Sequence, residues 1–270
     1  MRAYTWKLLN RIRETSPLIH NITNYVVMNS SANILLALGA APVMAHSLAE
    51  IDEMTGMADG LVLNIGTIEE EWVPSMIRAA KIANQTNIPV VLDPVGAGAT
   101  LYRKQVVSRI LNEVSVSVIR GNASEIFSLT SSGVKTRGVD SSISMSEEIA
   151  ETARRIAADY DCIVGVSGRE DLVTDGEKMI RIRNGQALMA RVTGIGCGLS
   201  AVTAAFCAAA EEKRRAIAAA AAFAYYGLCG DLAVKFHDKP GSFYVAFLDA
   251  LYSASRDDIY SLLEVEPAEL

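Results

Sequence analysis

Residues 89–100 read PVVLDPVGAGAT. Four apolar residues run into Asp93, and Pro94, Gly96 and Gly98 follow at once. A run this continuously apolar suits a strand buried on both faces, as in a parallel sheet covered by helices. The same pattern recurs at residues 42–47, 61–65, 114–119 and 162–166. Helical patterns separate these runs. One spans 25–38, with Asn24 as its N-cap and Gly39 as its stop. Another spans 70–86, and a third spans 145–160, where Ser144 stands three residues before Glu147 in a capping-box pattern. Residues 171–174 and 179–182 are joined by Asp175-Gly176, a hairpin signal, and 188–192 is expected to extend that ladder. Helices are expected over 198–213, 215–236 and 244–251. Such alternation predicts an α/β fold of three layers, with a mainly parallel central sheet, helices on both faces and an antiparallel edge. No linker, composition shift or internal repeat divides the chain, so residues 1–270 read as a single domain.

Composition narrows the function. The 270 residues are 50% hydrophobic and 21% charged, enough for a substantial core and too apolar for a disordered chain. With 25 Lys plus Arg against 31 Asp plus Glu, the net charge of −6 gives no footprint for nucleic acid. The four cysteines, at 162, 197, 207 and 229, show no CxxC spacing and are too sparse for a disulfide scaffold. The first 15 residues are basic and amphipathic, without the apolar segment of a secretory signal. The longest apolar run, 216–230, is mostly alanine and falls short of the ~20 residues of a membrane span. It reads as a buried helix of a cytoplasmic protein that needs no membrane. The polar tract 130–144 reads as a surface loop or as a lid.

In an open parallel sheet, ligands bind beyond the carboxyl ends of the strands, so the turns there matter most. Residues 192–201, VTGIGCGLSA, read as a strand, a glycine-rich turn and a helix of small residues. Converging amides of residues 194–198 and a helix N-terminus make an anion hole suited to phosphate. The turn lacks the Gly-Lys-Ser/Thr of a Walker loop and the spacing of a dinucleotide fingerprint. Cys197 lies inside it, where the helix dipole is expected to lower its pKa. It reads equally as a functional thiol, either a base or a group that places a substrate hydroxyl, and as a small buried residue. Asp93, at a strand end, suits Mg²⁺ held through water. Arg120 follows another strand and suits phosphate, while Glu125, taken alone, reads as a dipole-favoured capping carboxylate. Ser167 and Gly168 end a fifth strand and read equally as a phosphate contact and as a plain turn. His20, His46 and His237 lack zinc-ligand spacing, and no GxSxG elbow supports a serine hydrolase.

Seven segments together are similar to the ribokinase-like superfamily, and more closely to the hydroxyethylthiazole kinases. They are PLIHNITNYVVMNSSAN (17–33), APVMAHS (41–47), LVLNIGT (61–67), LDPVGAG (92–98), IRGNASEI (119–126), GVDS (138–141) and TGIGCGLSA (193–201). The resemblance implies an ATP- and Mg²⁺-dependent kinase for the primary hydroxyl of 4-methyl-5-(2-hydroxyethyl)thiazole, in thiamine biosynthesis or salvage. It implies a homotrimer with active sites at subunit interfaces. Met44 and Gly194 would contact the thiazole, with Asn24 and Val26 reaching in from a neighbouring subunit. Arg120, Ser167 and Gly196 would serve ATP. Asp93 and Glu125 would place Mg²⁺, with Asn122 and Glu125 forming the N-x-x-E element. Cys197 stands where most ribokinase-like enzymes carry an aspartate base, and a cysteine at that place is similar to the thiazole kinases themselves. An unperturbed thiol titrates near ~8.5, so its expected share in catalysis is secondary to the anion hole and the metal. The competing readings are a kinase of a pyrimidine or vitamin-B6 alcohol, a catalytically silent ligand-binding relative, and a dehydrogenase.

Overall fold

The computed structural model describes residues 1–130, 147–235 and 237–267. The elements begin with α1 (Arg2–Thr15), β1 (Leu18–Ile22), α2 (Met28–Leu38), β2 (Ala41–Val43), α3 (Ile51–Met57) and β3 (Gly60–Asn64). Next come α4 (Trp72–Gln85), β4 (Val90–Asp93), α5 (Leu101–Glu113), β5 (Val118–Asn122), α6 (Ala123–Ser128) and α7 (Glu147–Tyr160). The chain continues with β6 (Ile163–Ser167), β7 (Asp171–Thr174), β8 (Met179–Ile182), α8 (Ile195–Ala208) and α9 (Arg215–Val234). It closes with α10 (Pro240–Ser253), α11 (Arg256–Leu262) and β9 (Val265–Pro267).

Among the described residues the strands form one sheet in the order β2-β1-β3-β4-β5-β6-β7-β8-β9. The neighbours from β2 to β6 are parallel, and β6 to β9 are antiparallel. Pairing of Leu61, Val62 and Leu63 with Val90, Val91 and Leu92 sets the central register. Successive side chains then point to opposite faces. Ile19, Val62, Val91 and Val118 pack with the apolar sides of α1, α2, α8, α9 and α10. Leu61, Leu63, Val90, Leu92 and Ile119 pack with α4, α5, α6 and α7. Two cores on one sheet make the three layers that near-continuous apolar strands require.

Several boundaries differ from the sequence expectation. The expected strand over 42–47 stops at Val43. That over 114–119 starts only at Val118, because Val114 ends α5. Residues 188–192 add no strand: residues Ala187–Arg191 are a 3₁₀ turn, and β9 takes the edge beside β8. The helix of 198–213 begins earlier, at Ile195, and ends at Ala208. β1 joins the sheet although His20 and Asn21 interrupt its apolar run. The Ser144 cap, the GVDS segment and nearly all of the 130–144 tract lie outside the described residues.

The segment Glu212–Val234 is long and apolar enough to cross a membrane, longer than the apolar run alone suggested, but 78% of its apolar window is buried. α9 is instead the central helix of one core, and its alanines let it lie close to α8 and the sheet. The closest approach is at Gly165 on β6, where a Cβ would fall 2.5 Å from Phe223 Cζ of α9. Overpacking of this kind costs about 1–3 kcal/mol. Gly165→Ala is therefore expected to lower the thermal unfolding midpoint clearly; an unchanged midpoint contradicts this contact.

Candidate active site

Because β1 and β3 to β6 are parallel, their carboxyl ends share one edge of the sheet. The N-terminus of α8 faces that edge. Asp93 is the last residue of β4 and is 0% exposed. Its Oδ2 accepts from Asn64 Nδ2 at 2.7 Å and Ser200 Oγ at 2.9 Å. Its Oδ1 is buried with no hydrogen-bond partner, and Arg120 Nη1 stands 4.0 Å away. Burial pushes this carboxyl up, and the Arg120 guanidinium opposes that shift.

Asn64 ties the neighbouring turns to Asp93. Its Oδ1 accepts from Asn24 Nδ2 at 2.8 Å and from the Gly66 amide at 2.9 Å. Asn24 also donates to Cys197 Sγ at 3.7 Å. Asn24 therefore does not cap α2, which starts later, at Met28, with Val27 at its N-cap. Asn24 is buried within its own chain. Val26 is 63% exposed.

On the other side, Asn122 caps α6 in a full capping box, so Glu125 is the capping carboxylate its spacing suggested. Glu125 Oε2 accepts from the Asn122 amide at 2.8 Å, and Oε1 from the Gly96 amide at 3.0 Å. Burial and the nearby Asp93 push it up to about 7. Arg120 Nη2 donates to Ser167 Oγ at 2.6 Å, while its buried Nε has no partner. A Cβ on Gly196 would lie 3.4 Å from Arg120 Nη1, so the first turn of α8 meets the guanidinium directly.

The glycine turn performs two tasks. Gly194 takes φ 91° as the N-cap of α8, a conformation that favours glycine, and a Cβ there would collide with Ser30 Oγ. Gly198 donates its amide to the Gly194 carbonyl at 2.8 Å, so it is inside the helix ladder and not in the anion hole. The expected cradle of 194–198 thus narrows to the first-turn amides of Ile195, Gly196 and Cys197. No strand leads into this turn. The preceding 3₁₀ turn delivers it.

Cys197 departs from expectation. Burial, and then Asp93, push its thiol up to about 12, outweighing the helix dipole expected to lower it. The other three cysteines are free and buried.

Met44 follows β2, half-buried, beside a segment that His20 holds in place. His20 Nε2 donates to the Ala45 carbonyl at 2.7 Å, and Nδ1 accepts from Thr55 Oγ1 at 3.1 Å. Burial lowers its pKa, which fits this neutral tautomer. Sequence reasoning gave no role to Asn64, Ser200, His20 or Arg103. Asn64 lay in a quoted segment, but polar residues within apolar strands carry no periodicity signal.

The site suits a divalent cation carried by phosphates. Asp93 offers an unpartnered buried oxygen, and Glu125 is close enough for the two carboxylates to perturb each other. Among the described residues no cluster of three or more His, Cys, Asp or Glu could hold a metal unaided. Two carboxylates leave the remaining positions to phosphate and water, the habit of Mg²⁺ in kinases.

A ribokinase-like superfamily protein from Enterococcus faecalis shares the fold, with a TM-score of 0.59, 13% identity and coverage of 88% of this chain and 87% of that one. That likeness shows a ribokinase-like fold. Residues 9–257 match the sequence model of the hydroxyethylthiazole kinase family. A hydroxyethylthiazole kinase of Desulfotalea psychrophila is 51% identical over 251 residues, 93% of this chain and 91% of that protein. The structure of the hydroxyethylthiazole kinase protein from Pyrococcus horikoshii superposes with a TM-score of 0.90 at 40% identity, covering 99% of this chain and all of that one. The chain belongs to the hydroxyethylthiazole kinase family.

Folded protein keeps the Glu125 proton up to about 7, whereas an ordinary carboxyl releases it near 4.5. The metal-free protein should therefore lose unfolding free energy as pH rises between those values. Glu125→Gln is expected to shrink that slope in urea titrations at several pH values, with Asp171, which burial pushes up to about 7, and Asp93, also pushed up by burial, supplying the remainder. A slope unchanged by the substitution contradicts the assignment.

Proposed function

We propose that this protein transfers the γ-phosphoryl group of ATP to the primary hydroxyl of 4-methyl-5-(2-hydroxyethyl)thiazole, a step of thiamine biosynthesis or salvage. The observation that carries the reading is the meeting, in a hydroxyethylthiazole kinase scaffold, of Asp93 with the open amides of α8.

Met44 and Gly194 line the thiazole site, with Asn24 and Val26 at its rim. The substrate hydroxyl lies beside Cys197 and attacks the γ-phosphorus in line. The amides of Ile195, Gly196 and Cys197 hold the phosphoryl oxygens as charge develops on them. Arg120, oriented by Ser167, adds positive charge to the phosphate chain. Asp93 and Glu125 would hold Mg²⁺, which when bound neutralises the phosphates. An O–P bond forms to the thiazole alcohol and the bond to the β-phosphate oxygen breaks. Since Cys197 keeps its own proton, the hydroxyl proton leaves on an oxygen of the transferred group. The thiol positions the hydroxyl, and the loose transition state needs little help from a base.

A homotrimer is part of the proposal, supported by Tyr25 (53% exposed) and Val26 lying exposed next to the buried Asn24. Four free cysteines suit the reducing cytoplasm.

Coupled measurement of ADP release tests the reaction. Release should depend on the thiazole alcohol and exceed that with pyridoxal or a hydroxymethylpyrimidine. Equal release with all three, or none with the thiazole, contradicts it. Cys197→Asp should keep or raise kcat, because a carboxylate is a stronger base at neutral pH than this half-buried thiol. A folded but inactive Cys197→Asp contradicts the positioning role.

A further inference from the structure

Arg103 lies in the first turn of α5, whose N-cap is Thr100. Its side chain leaves the helix and ends among backbone carbonyls. Nη1 donates to Ile65 O at 2.7 Å and to Val95 O at 2.6 Å, and Nη2 donates to Gly66 O. Ile65 and Gly66 belong to the turn after β3, which begins beside Asn64. Val95 belongs to the turn after β4, which begins beside Asp93. One guanidinium thus fastens together the two turns that leave the strands bearing the site's central pair.

The fastening extends toward the phosphates. Gly96, next to Val95, takes φ +65° and gives its amide to Glu125 Oε1. A Cβ on Gly96 would meet Arg103 Nη1 at 3.4 Å, so the guanidinium packs against the residue that orients Glu125. The Gly66 amide in turn holds Asn64 Oδ1, whose amide group holds Asp93. None of these links involves Met44 or the segment around it; the one thread toward the thiazole side is Asn24, whose Nδ2 shares Asn64 Oδ1 with the Gly66 amide.

We propose that Arg103 is a positioning residue for the nucleotide and metal half of the site, setting the turns that aim Glu125 and Asp93 and reaching the thiazole half only indirectly, through Asn64 and Asn24. A planar fork suits this task, since it reaches carbonyls on two turns at fixed angles. A lysine ammonium keeps the charge without that geometry. The inference rests on the proposed kinase reaction.

Arg103→Met and Arg103→Lys test it, measured beside the wild-type chain. Loss of an oriented support around ligating carboxylates costs about 10–100-fold in affinity or activity. Arg103→Met should raise the KM for ATP and the calorimetric Kd for ADP with Mn²⁺ by about tenfold or more. The KM for the thiazole alcohol should stay within about twofold, well below that range. Arg103→Lys should fall between wild type and Arg103→Met, and it carries the test if the methionine variant fails to fold. Unchanged ADP–Mn²⁺ affinity in a folded variant overturns the inference, as does an equal rise in both KM values. A wild-type chain that does not phosphorylate the thiazole alcohol would sink the proposed reaction instead, and the ADP–Mn²⁺ titration would still report on Arg103.

Discussion

A carboxylate sealed at the end of a parallel strand must be compensated, and the site is arranged around that requirement. Asp93 has no exposed surface, yet only one of its two oxygens is hydrogen-bonded. Leaving a buried acceptor unpaired costs about 1–3 kcal/mol, more where it carries charge. Asn64 and Ser200 compensate one oxygen, and Arg120 stands near the other without closing on it. In the proposed reaction this is the oxygen that would meet the cation carried by ATP.

The same constraint explains the neighbours. Glu125 feels Asp93 and is held by two amides that fix its direction. Cys197 feels Asp93 too, and burial with this neighbour pushes the thiol up. Arg120 is the one strongly buried cation in the cluster, and it is split between Asp93 and Ser167. Negative charge is concentrated on one side and open amides on the other. In the proposed reaction that arrangement would receive a metal-chelated polyphosphate, the cation on the carboxylates and the phosphates on the amides.

Much of the scaffold was legible because buried parallel strands leave continuous apolar runs. β3, β4 and β6 fell within a residue or so of their expected ends, and the Asp175-Gly176 hairpin paired as its turn chemistry required. β1 was not legible. His20 and Asn21 break its pattern, and only the fold reveals that both are buried, with His20 bonded to Ala45 and Thr55. β9 pairs with β8 across most of a hundred residues, a separation no local signal spans. Of the site, glycines and strand-end carboxylates could be read directly. Asn24 could not, because an asparagine before an apolar run resembles a cap, and here its amide serves Asn64 and Cys197 instead. The thiol of Cys197 was misjudged since a sequence shows the helix start but not the depth of burial.

Soaking crystals with a non-hydrolysable ATP analogue and Mn²⁺, and locating the metal by its anomalous signal, tests the central claim most directly. The account predicts a manganese peak beside Asp93 Oδ1 and Glu125, with the terminal phosphate on the amides of Ile195, Gly196 and Cys197. An ordered nucleotide whose phosphates lie elsewhere, with Asp93 Oδ1 still lacking a partner, would contradict it.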